Sequence, residues 1–496
     1  MKIVSVAQMR QLEAAAFAAG ISENELQAQA ATVVADEVVR LAGLGDRVVV
    51  FVGHGNNGRD GGLAALRLAR LQRAVEVVLA PRHALSAEEV ESLRSLGVDI
   101  VHSGEQEAVG PRLRTAVVAV DALAGIGTHG ALREPLAGLT RMLNKLRART
   151  VVALDVPSGV DADSGEVPGE AVKADVTVTL GAVKQGLLRF PAAELVGRLI
   201  ARDIGIPLEA KRELPYNVLE PHGLPNRPLD AHKYAFGRVL IVAGSDHFLG
   251  APVLCAGGAL RVGAGLVTVG STADVRRTVA AHLPEATYTV EDVELHAEKL
   301  KTYLEGHQAV VIGPGLGRGP DVTRFVLEVV RNRANGKLVI DADALVAIGE
   351  TPEWWTLLPR ETVLTPHAGE LARLVGSELP KDEAPWKTAG RLARQWQCVL
   401  VYKGPFTSVA EASGSVHVWP HANPALATGG TGDVLAGVCG GLLAQGCSAA
   451  EAARLAVAVH GLAAERVTRQ HGWRTLLASD LFAEIPAVLA GLTQPR

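Results

Sequence analysis

The chain has 496 residues, a formal net charge of −4, 48% hydrophobic residues and 21% charged residues. That length exceeds one ordinary core and predicts two or three domains, and a near-neutral balance without a long basic run excludes nucleic acid as a natural partner. Cys255, Cys398, Cys439 and Cys447 lack CxxC or metal-ligand spacing, and with neither a signal-peptide core nor an apolar run of the ~20 residues that span a bilayer, a cytoplasmic protein with no membrane partner is expected.

From the N-terminus, RVVVFVG (residues 47–53), VEVVLA (from Val75), AVVAVDA (from Ala116) and TVVALDVPSG (from Thr150) read as buried strands. Between them lie stretches such as DGGLAALRLARLQ with apolar residues at helical spacing. This alternation predicts βαβ units, hence a parallel sheet with helices on both faces. GHGNNGRDGG (residues 53–62) follows a strand and precedes a helix; AVVAVDA delivers Asp121 into GIGTHGALR, and TVVALD delivers Asp155 into VPSGVDADSG. In any one such loop, Gly, Asn and Asp simply satisfy turn geometry. Three such loops at the carboxyl ends of one sheet converge on a cleft suited to phosphate or ribose.

The motifs GNNGxDG, DAL-x-G-x-G and DVPSGVDADSG, with KADVTVTLGAVKQGL from Lys173, resemble the N-terminal domain of bifunctional NAD(P)H-hydrate repair enzymes over roughly residues 1–206. That domain epimerises the hydrated, damaged form of NADH or NADPH at nicotinamide C6. The resemblance implies a Rossmann-like three-layer α/β domain. It implies that Asn56, Asn57, Gly58, Arg59 and Asp60 meet the hydrate, together with Gly125, Ile126, Gly127, Thr128, His129, Gly130, Ala131 and Asp155. It also implies K+ held by Asn57, Asp121 and Ser158, all oxygen donors, as a hard cation prefers. The chain departs from the family pattern at Arg59, where Gly is usual, at Ile126, where Thr is usual, and at QAQAA (residues 27–31), where a MENAG-like run is usual. A long cation at position 59 either crowds the loop or pairs with a phosphate, and Ile126 lacks a hydroxyl donor.

Prolines at 207, 215, 221, 225 and 228 break both helix and ladder. Residues 207–227 therefore read as a linker between domains at 1–206 and 228–496. Beyond it, RVLIVAGS (from Arg238), GLVTVGS, AVVIGPGLG, KLVIDADAL, TVLTPHAGE and CVLVYKG restore the strand and helix alternation, which ends in a helix near residues 477–489. GPGLGR lets backbone approach a ligand; His367 and Glu370 stand at a helix start, and Lys403 and Gly404 at a strand end.

NPALATGGTGD (residues 423–433) leads into the apolar helical run VLAGVCGGLLA. Uncrowded amides at a helix N-terminus attract an anion such as phosphate. An Asp there either caps the helix or takes a proton from a hydroxyl attacking phosphorus. GSxxFxGAP, GPGLG, TPHxGE, KG and NPxxATGGTGD together resemble the C-terminal domain of the same family, the ribokinase-like ADP- or ATP-dependent hydrate dehydratase, over roughly residues 228–491. The resemblance implies hydrate contacts from Ala251, Gly315, Gly317, His367 and Asp433, with Asp433 as the catalytic base. It places adenine nucleotide along Lys403, Gly404, Pro405, Phe406 and Thr407 and at Gly432. It also favours a homo-oligomer. DADALV (residues 341–346) departs at Val346, where Asn is common. Mg2+ is expected to bridge the nucleotide phosphates, with Glu370 a candidate to hold it through water.

The small-molecule substrates are then the hydrates of NADH and NADPH with ADP or ATP. Two other readings stand beside this one. A ribokinase-like small-molecule kinase shares the GTGD anion hole and base but has no need of a GNNGxDG domain. A non-catalytic nucleotide sensor predicts tight binding without turnover.

Overall fold

Alternate residues of a strand face opposite sides of its sheet, and the strand RVVVFV uses both sides for core. Val48, Val50 and Val52 pack into one apolar cluster, Val49 and Phe51 into another, and all five are fully buried. The computed structural model describes residues 1–103, 116–146, 148–224, 227–289, 297–333 and 336–492; Pro225 of the Pro-rich segment and residues 493–496 lie outside that set. The chain forms two units, Met1–Leu214 and Pro215–Arg496.

The strands of the first unit are β1 (Ile3–Val4), β2 (Arg47–Val52), β3 (Ala74–Leu79), β4 (Asp99–His102), β5 (Val118–Ala122), β6 (Thr150–Leu154), β7 (Val176–Leu180), β8 (Val183–Lys184) and β9 (Arg198–Arg202). Among the described residues, seven of them form a wholly parallel sheet in the order β4-β3-β2-β5-β6-β7-β9, while β1 pairs with β8. One face carries the helices Glu23–Leu41 and Asn56–Arg70 through Val34, Val38 and Leu68; the other carries Leu136–Lys145 through Leu139 and Leu143. The result is the three-layer arrangement expected from the sequence. The chain leaves β2 in one direction through β3 and β4, then returns to place β5 on its other side, so the crevice between β2 and β5 is the topological switch point.

The second unit contributes β10 (Tyr216–Val218), β11 (Arg238–Val242), β12 (Leu266–Gly270), β13 (Thr287–Tyr288), β14 (Ala309–Ile312), β15 (Lys337–Ile340), β16 (Glu361–Leu364), β17 (Val399–Tyr402), β18 (Ser408–Ala410) and β19 (Val416–Val418). Their order is β10-β19-β18-β17-β16-β15-β14-β11-β12-β13, parallel except where β18 runs against β17 and β19. Here the switch point falls between β11 and β14. The Pro-rich segment is not wholly without structure. Leu208–Lys211 forms one helical turn, and Tyr216–Val218 pairs with β19, since its prolines flank this short edge strand and leave the ladder intact.

Glycine density in AGGAL and GVCGG has a packing cause. The helices Ala251–Arg261 and Thr431–Ala444 approach so closely that a Cβ on Gly437 would stand 1.9 Å from the Cys255 carbonyl oxygen. Cys255 meets Gly437 and Ala259 meets Gly441, a parallel register that brings both helix starts to the same end. The last helix spans Leu481–Leu492, a few residues later than its apolar pattern suggests, because Ala478–Asp480 is a separate 3-10 turn.

Candidate active sites in the two units

In the first unit, β2 and β5 end side by side, and Gly53 permits it: a Cβ there would lie 1.8 Å from the Leu123 carbonyl oxygen. The helix after β2 begins at Asn56, with Gly55 in the N-cap position. Asn57, Arg59 and Asp60 therefore belong to its first turns and not to a free loop. A cavity of about 760 Å³ opens at this edge, lined by Asn56, Asn57, Asp60, Gly125, Ile126, Gly127, Thr128, His129, Ala131 and Asp155 of the expected set. Glu13, Gln27 and Lys184 also line it, and sequence reasoning did not single out Glu13 or Lys184.

Three expected residues stand elsewhere. Gly58 is packing: a Cβ there would meet the Gly53 carbonyl oxygen at 2.1 Å. Gly130 is outside the lining. Arg59 turns to its neighbours, donating to Gln27 Oε1 at 2.7 Å, Asn24 Oδ1 at 3.2 Å and Glu89 Oε1 at 3.2 Å. The departures at Arg59 and at the QAQAA run thus answer each other, since Gln27 is the first residue of that run. The guanidinium is neither crowding the loop nor facing the cavity.

Asp60 is buried, its Oδ1 has no hydrogen-bond partner, and burial with the nearby Asp155 charge pushes its carboxyl up to about 8. Asp155 adopts φ 65°, left-handed for a residue with a Cβ, so that its Oδ1 accepts from Leu180 N at 3.0 Å, Thr179 Oγ1 at 3.2 Å and the buried Lys184 ammonium. Strain of this kind persists where the surroundings over-determine a conformation, often at a functional site. Burial also raises Glu13, against the opposing pull of Lys184. The wall therefore combines a neutral acid at Asp60 with an ionic pair at Asp155 and Lys184, a division of roles suited to moving protons.

Asp121, Ser158 and Asn57 meet around the Leu123–Gly125 backbone behind this wall. Asp121 accepts from Ser158 N at 2.8 Å, Ser158 Oγ at 2.6 Å and Leu123 N at 3.2 Å; Asn57 Nδ2 donates to the Ala124 carbonyl at 3.1 Å. Burial pushes Asp121 up to about 6 although the Ser158 bonds pull it back. No group of three or more His, Cys, Asp or Glu able to hold a metal occurs among the described residues.

In the second unit, Gly430 at φ 90° caps the helix Thr431–Ala444, and Asp433 is its third residue. Asp433 is thus in the first turn and not the cap, with its carboxyl pushed to about 7 by burial and by the Asp341 charge, against Lys403. Lys403 follows β17; its Nζ lies 2.9 Å from Asp341 Oδ1 and 3.8 Å from Glu370 Oε2, and 3.4 Å from where a Cβ on Gly432 would stand. Burial alone would lower this ammonium, but Asp341 and Glu370 together hold it above its usual value. His367 bridges to Lys403 and caps the helix Ala368–Val375 through Nδ1, which accepts from Gly369 N at 3.0 Å and Glu370 N at 3.2 Å.

Ala251 and Gly315 are neighbours: a Cβ on Gly315 would stand 3.1 Å from that of Ala251. Gly317 N donates to Asp343 Oδ2 at 2.9 Å, which ties the GPGLG turn to the DADAL segment. Thr407 Oγ1 donates to the Gly404 carbonyl at 3.0 Å and closes the KGPFT turn beside Lys403. Asp341 and Asp343 join this cluster through Lys403 and Gly317, although the DADAL motif stands out in the sequence only for its departure at Val346. Two carboxylates at a strand end next to a lysine loop could have been the signal.

A family model described as NAD(P)H-hydrate dehydratase matches residues 239–487, and one described as YjeF-related protein N-terminus matches residues 23–186. A bifunctional NAD(P)H-hydrate repair enzyme of Coxiella burnetii is 37% identical over 96% of this chain and 97% of its own length. The chain belongs to the bifunctional NAD(P)H-hydrate repair enzyme family. Another member, from Moorella thermoacetica, is 36% identical over 90% of this chain and 88% of its own. The structure of a ribokinase-like superfamily protein from Enterococcus faecalis has a TM-score of 0.50 at 27% identity, covering 55% of this chain and 93% of its own. The second unit of this repair-enzyme chain is accordingly ribokinase-like, as its motifs predict.

Proposed function

We propose that the chain repairs hydrated NADH and NADPH, the first unit interconverting the two C6 epimers and the second removing water from one of them with ADP or ATP. The observation that carries the reading is Asp433 in the first turn of a helix, its carboxyl pushed up to about 7 by burial and the Asp341 charge, with the Lys403 ammonium 3.4 Å from where a Cβ on the adjoining Gly432 would stand. Asp433 takes the proton of the C6 hydroxyl as that oxygen attacks the terminal phosphorus of the nucleotide. Lys403 and the amides of residues 429–432 offset the charge that develops on phosphate. The ring nitrogen lone pair then expels phosphate, a C5 proton leaves, and the dihydropyridine is restored. Ala251, Gly315, Gly317 and His367 face the hydrate in this reading, and residues 403–407 face the adenine nucleotide.

In the first unit, a C6 hydroxyl beside nitrogen is expelled and re-added from the other face, with Asp60 and Asp155 as the groups that handle its protons. Asn57, Asp121 and Ser158 are the candidates to hold K+: Asn57 Nδ2 and Ser158 Oγ meet at the Ala124 carbonyl, and Asp121 supplies one buried carboxylate beside Ser158. Potassium, if bound there, would supply positive charge beside the buried Asp121 carboxylate. Glu370 does not fit as a resident Mg2+ ligand: Oε2 accepts from His367 N at 2.9 Å, and Oε1 lies 3.3 Å from His367 Nε2.

All four cysteines are free and three are buried, which suits a reducing cytoplasm, and no helix among the described residues is long and apolar enough to cross a membrane. A homo-oligomer is part of the same reading, and light scattering of the full chain tests it. The decisive experiment is incubation with mixed epimers of chemically hydrated NADH and ADP or ATP. Recovery of reduced-nicotinamide absorbance with phosphate release is the expected result. A stable phosphorylated product would mean a kinase, and binding without turnover a sensor.

A further inference from the structure

Asp341 follows β15 and heads the helix Ala342–Gly349, where an aspartate ordinarily accepts from the first amides of the helix. Its side chain makes no such bond. It is 1% exposed instead, with Oδ1 2.9 Å from Lys403 Nζ. The backbone next to it is strained, since Ala342 holds φ 50°. A cap has thus been forgone for a contact with a lysine 62 residues away. The Nζ of that lysine lies 3.4 Å from where a Cβ on Gly432 would stand, and Asp433 is the next residue. An ammonium free to swing would pair with Asp433 and occupy the lone pairs a base needs.

We infer that Asp341 is a positioning residue for the dehydration step: it ties the Lys403 ammonium beside Gly432 and so keeps the Asp433 carboxylate available to the substrate hydroxyl. This rests on the reading of Asp433 as base. The charged groups that act on Asp433 are Asp341, Lys403, Asp343 and Glu370; the Cys255 thiol feels its charge, and His460 packs on the Thr431 carbonyl of the same turn. After burial, Asp341 does most to keep Asp433 near neutrality, Lys403 opposes it, and Asp343 and Glu370 add lesser pushes. Cys255 is a buried thiol raised well above its usual range by that burial, and His460 is bonded to the Thr431 carbonyl at 2.9 Å. Neither changes charge near pH 7. Loss of the Asp341 charge removes one push on Asp433 and frees Lys403 to pair with it, and both effects lower the pH at which the base is unmasked.

The test follows turnover of hydrated NADH with ADP against pH in the full chain and in its Asp341→Asn and Asp341→Glu variants. For Asn, the rising limb of kcat/KM moves down by about one pH unit or more, and the nucleotide KM rises by about threefold or more. For Glu, which keeps the charge on a longer arm, the limb returns to within about 0.3 unit of the parent while the nucleotide KM stays raised. A limb that stays in place in the Asn variant while kcat alone falls overturns the inference and leaves Asp433 as base. Should the Asn variant not fold, the Glu variant decides: a displaced limb or an unchanged nucleotide KM overturns it. Absence of turnover by the parent chain overturns both the inference and the reading beneath it.

Discussion

Asp433 and Asp60 are raised furthest above the range in which the unfolded chain ionises its aspartates, to about 7 and about 8. Asp433 is raised from 3.8 to about 7, so between those values the folded state binds the extra proton and stability falls as pH rises. Asp433→Asn removes that loss. Its denaturant midpoint is expected to exceed that of the parent at pH 8 and to match it more closely at pH 5. The same variant loses about 10²- to 10⁴-fold in dehydration rate, the range of a removed general base, while calorimetry still detects ADP binding. Asp60 behaves alike, with its window reaching about 8. Because its Oδ1 is buried and unpartnered, Asp60→Asn is expected to slow epimerisation without lowering the melting temperature at pH 8. Arg59 belongs to another class. Its three partners are the side chains of exposed Asn24, buried Gln27 and part-buried Glu89, and its own guanidinium is partly exposed, so Arg59→Ala is expected to weaken the first unit by about 1 kcal/mol, read by denaturant unfolding, and to leave epimerisation within about twofold.

The helices Ala251–Arg261 and Thr431–Ala444 set the position of the second site, and their contact is made of glycines facing carbonyls. Gly437→Ala forces a methyl into the Cys255 carbonyl, an overpacking that costs about 1–3 kcal/mol or more. It is expected to slow dehydration as well, because Ala251 and the Asp433 turn stand at the shared end of this pair; unfolding and turnover of one preparation check both. Elements of this kind were legible in the sequence. RVVVFV, AVVI, KLVI and VLVY are strands where their apolar runs stand, and NPALATGGTGD does lead into a helix. Side-chain pairs across the sheet were not legible. Lys184 with Asp155 and Lys403 with Asp341 join residues far apart in sequence, and only the order of strands makes them neighbours. The edge strand Tyr216–Val218 was hidden for a different reason: three residues among prolines carry no period of their own, and their pairing comes wholly from β19.

Each unit has its own sheet, its own core and its own site, so the two activities are expected to be separable by point substitution. Asp155→Ala in the full chain breaks the Lys184 pair and should abolish epimerisation while dehydration of the accepted epimer proceeds. With mixed epimers, absorbance would then recover rapidly to a partial plateau and creep onward only at the spontaneous rate. Asp433→Asn should give the reverse, with epimers equilibrating and no absorbance returning. Both sites lie where strands finish. The opposite rim, where strands start, holds the turn before β2, with Leu44 84% exposed and Gly45 at φ 88°. A dye or surface tether attached there would report on the first unit's motions without touching its chemistry.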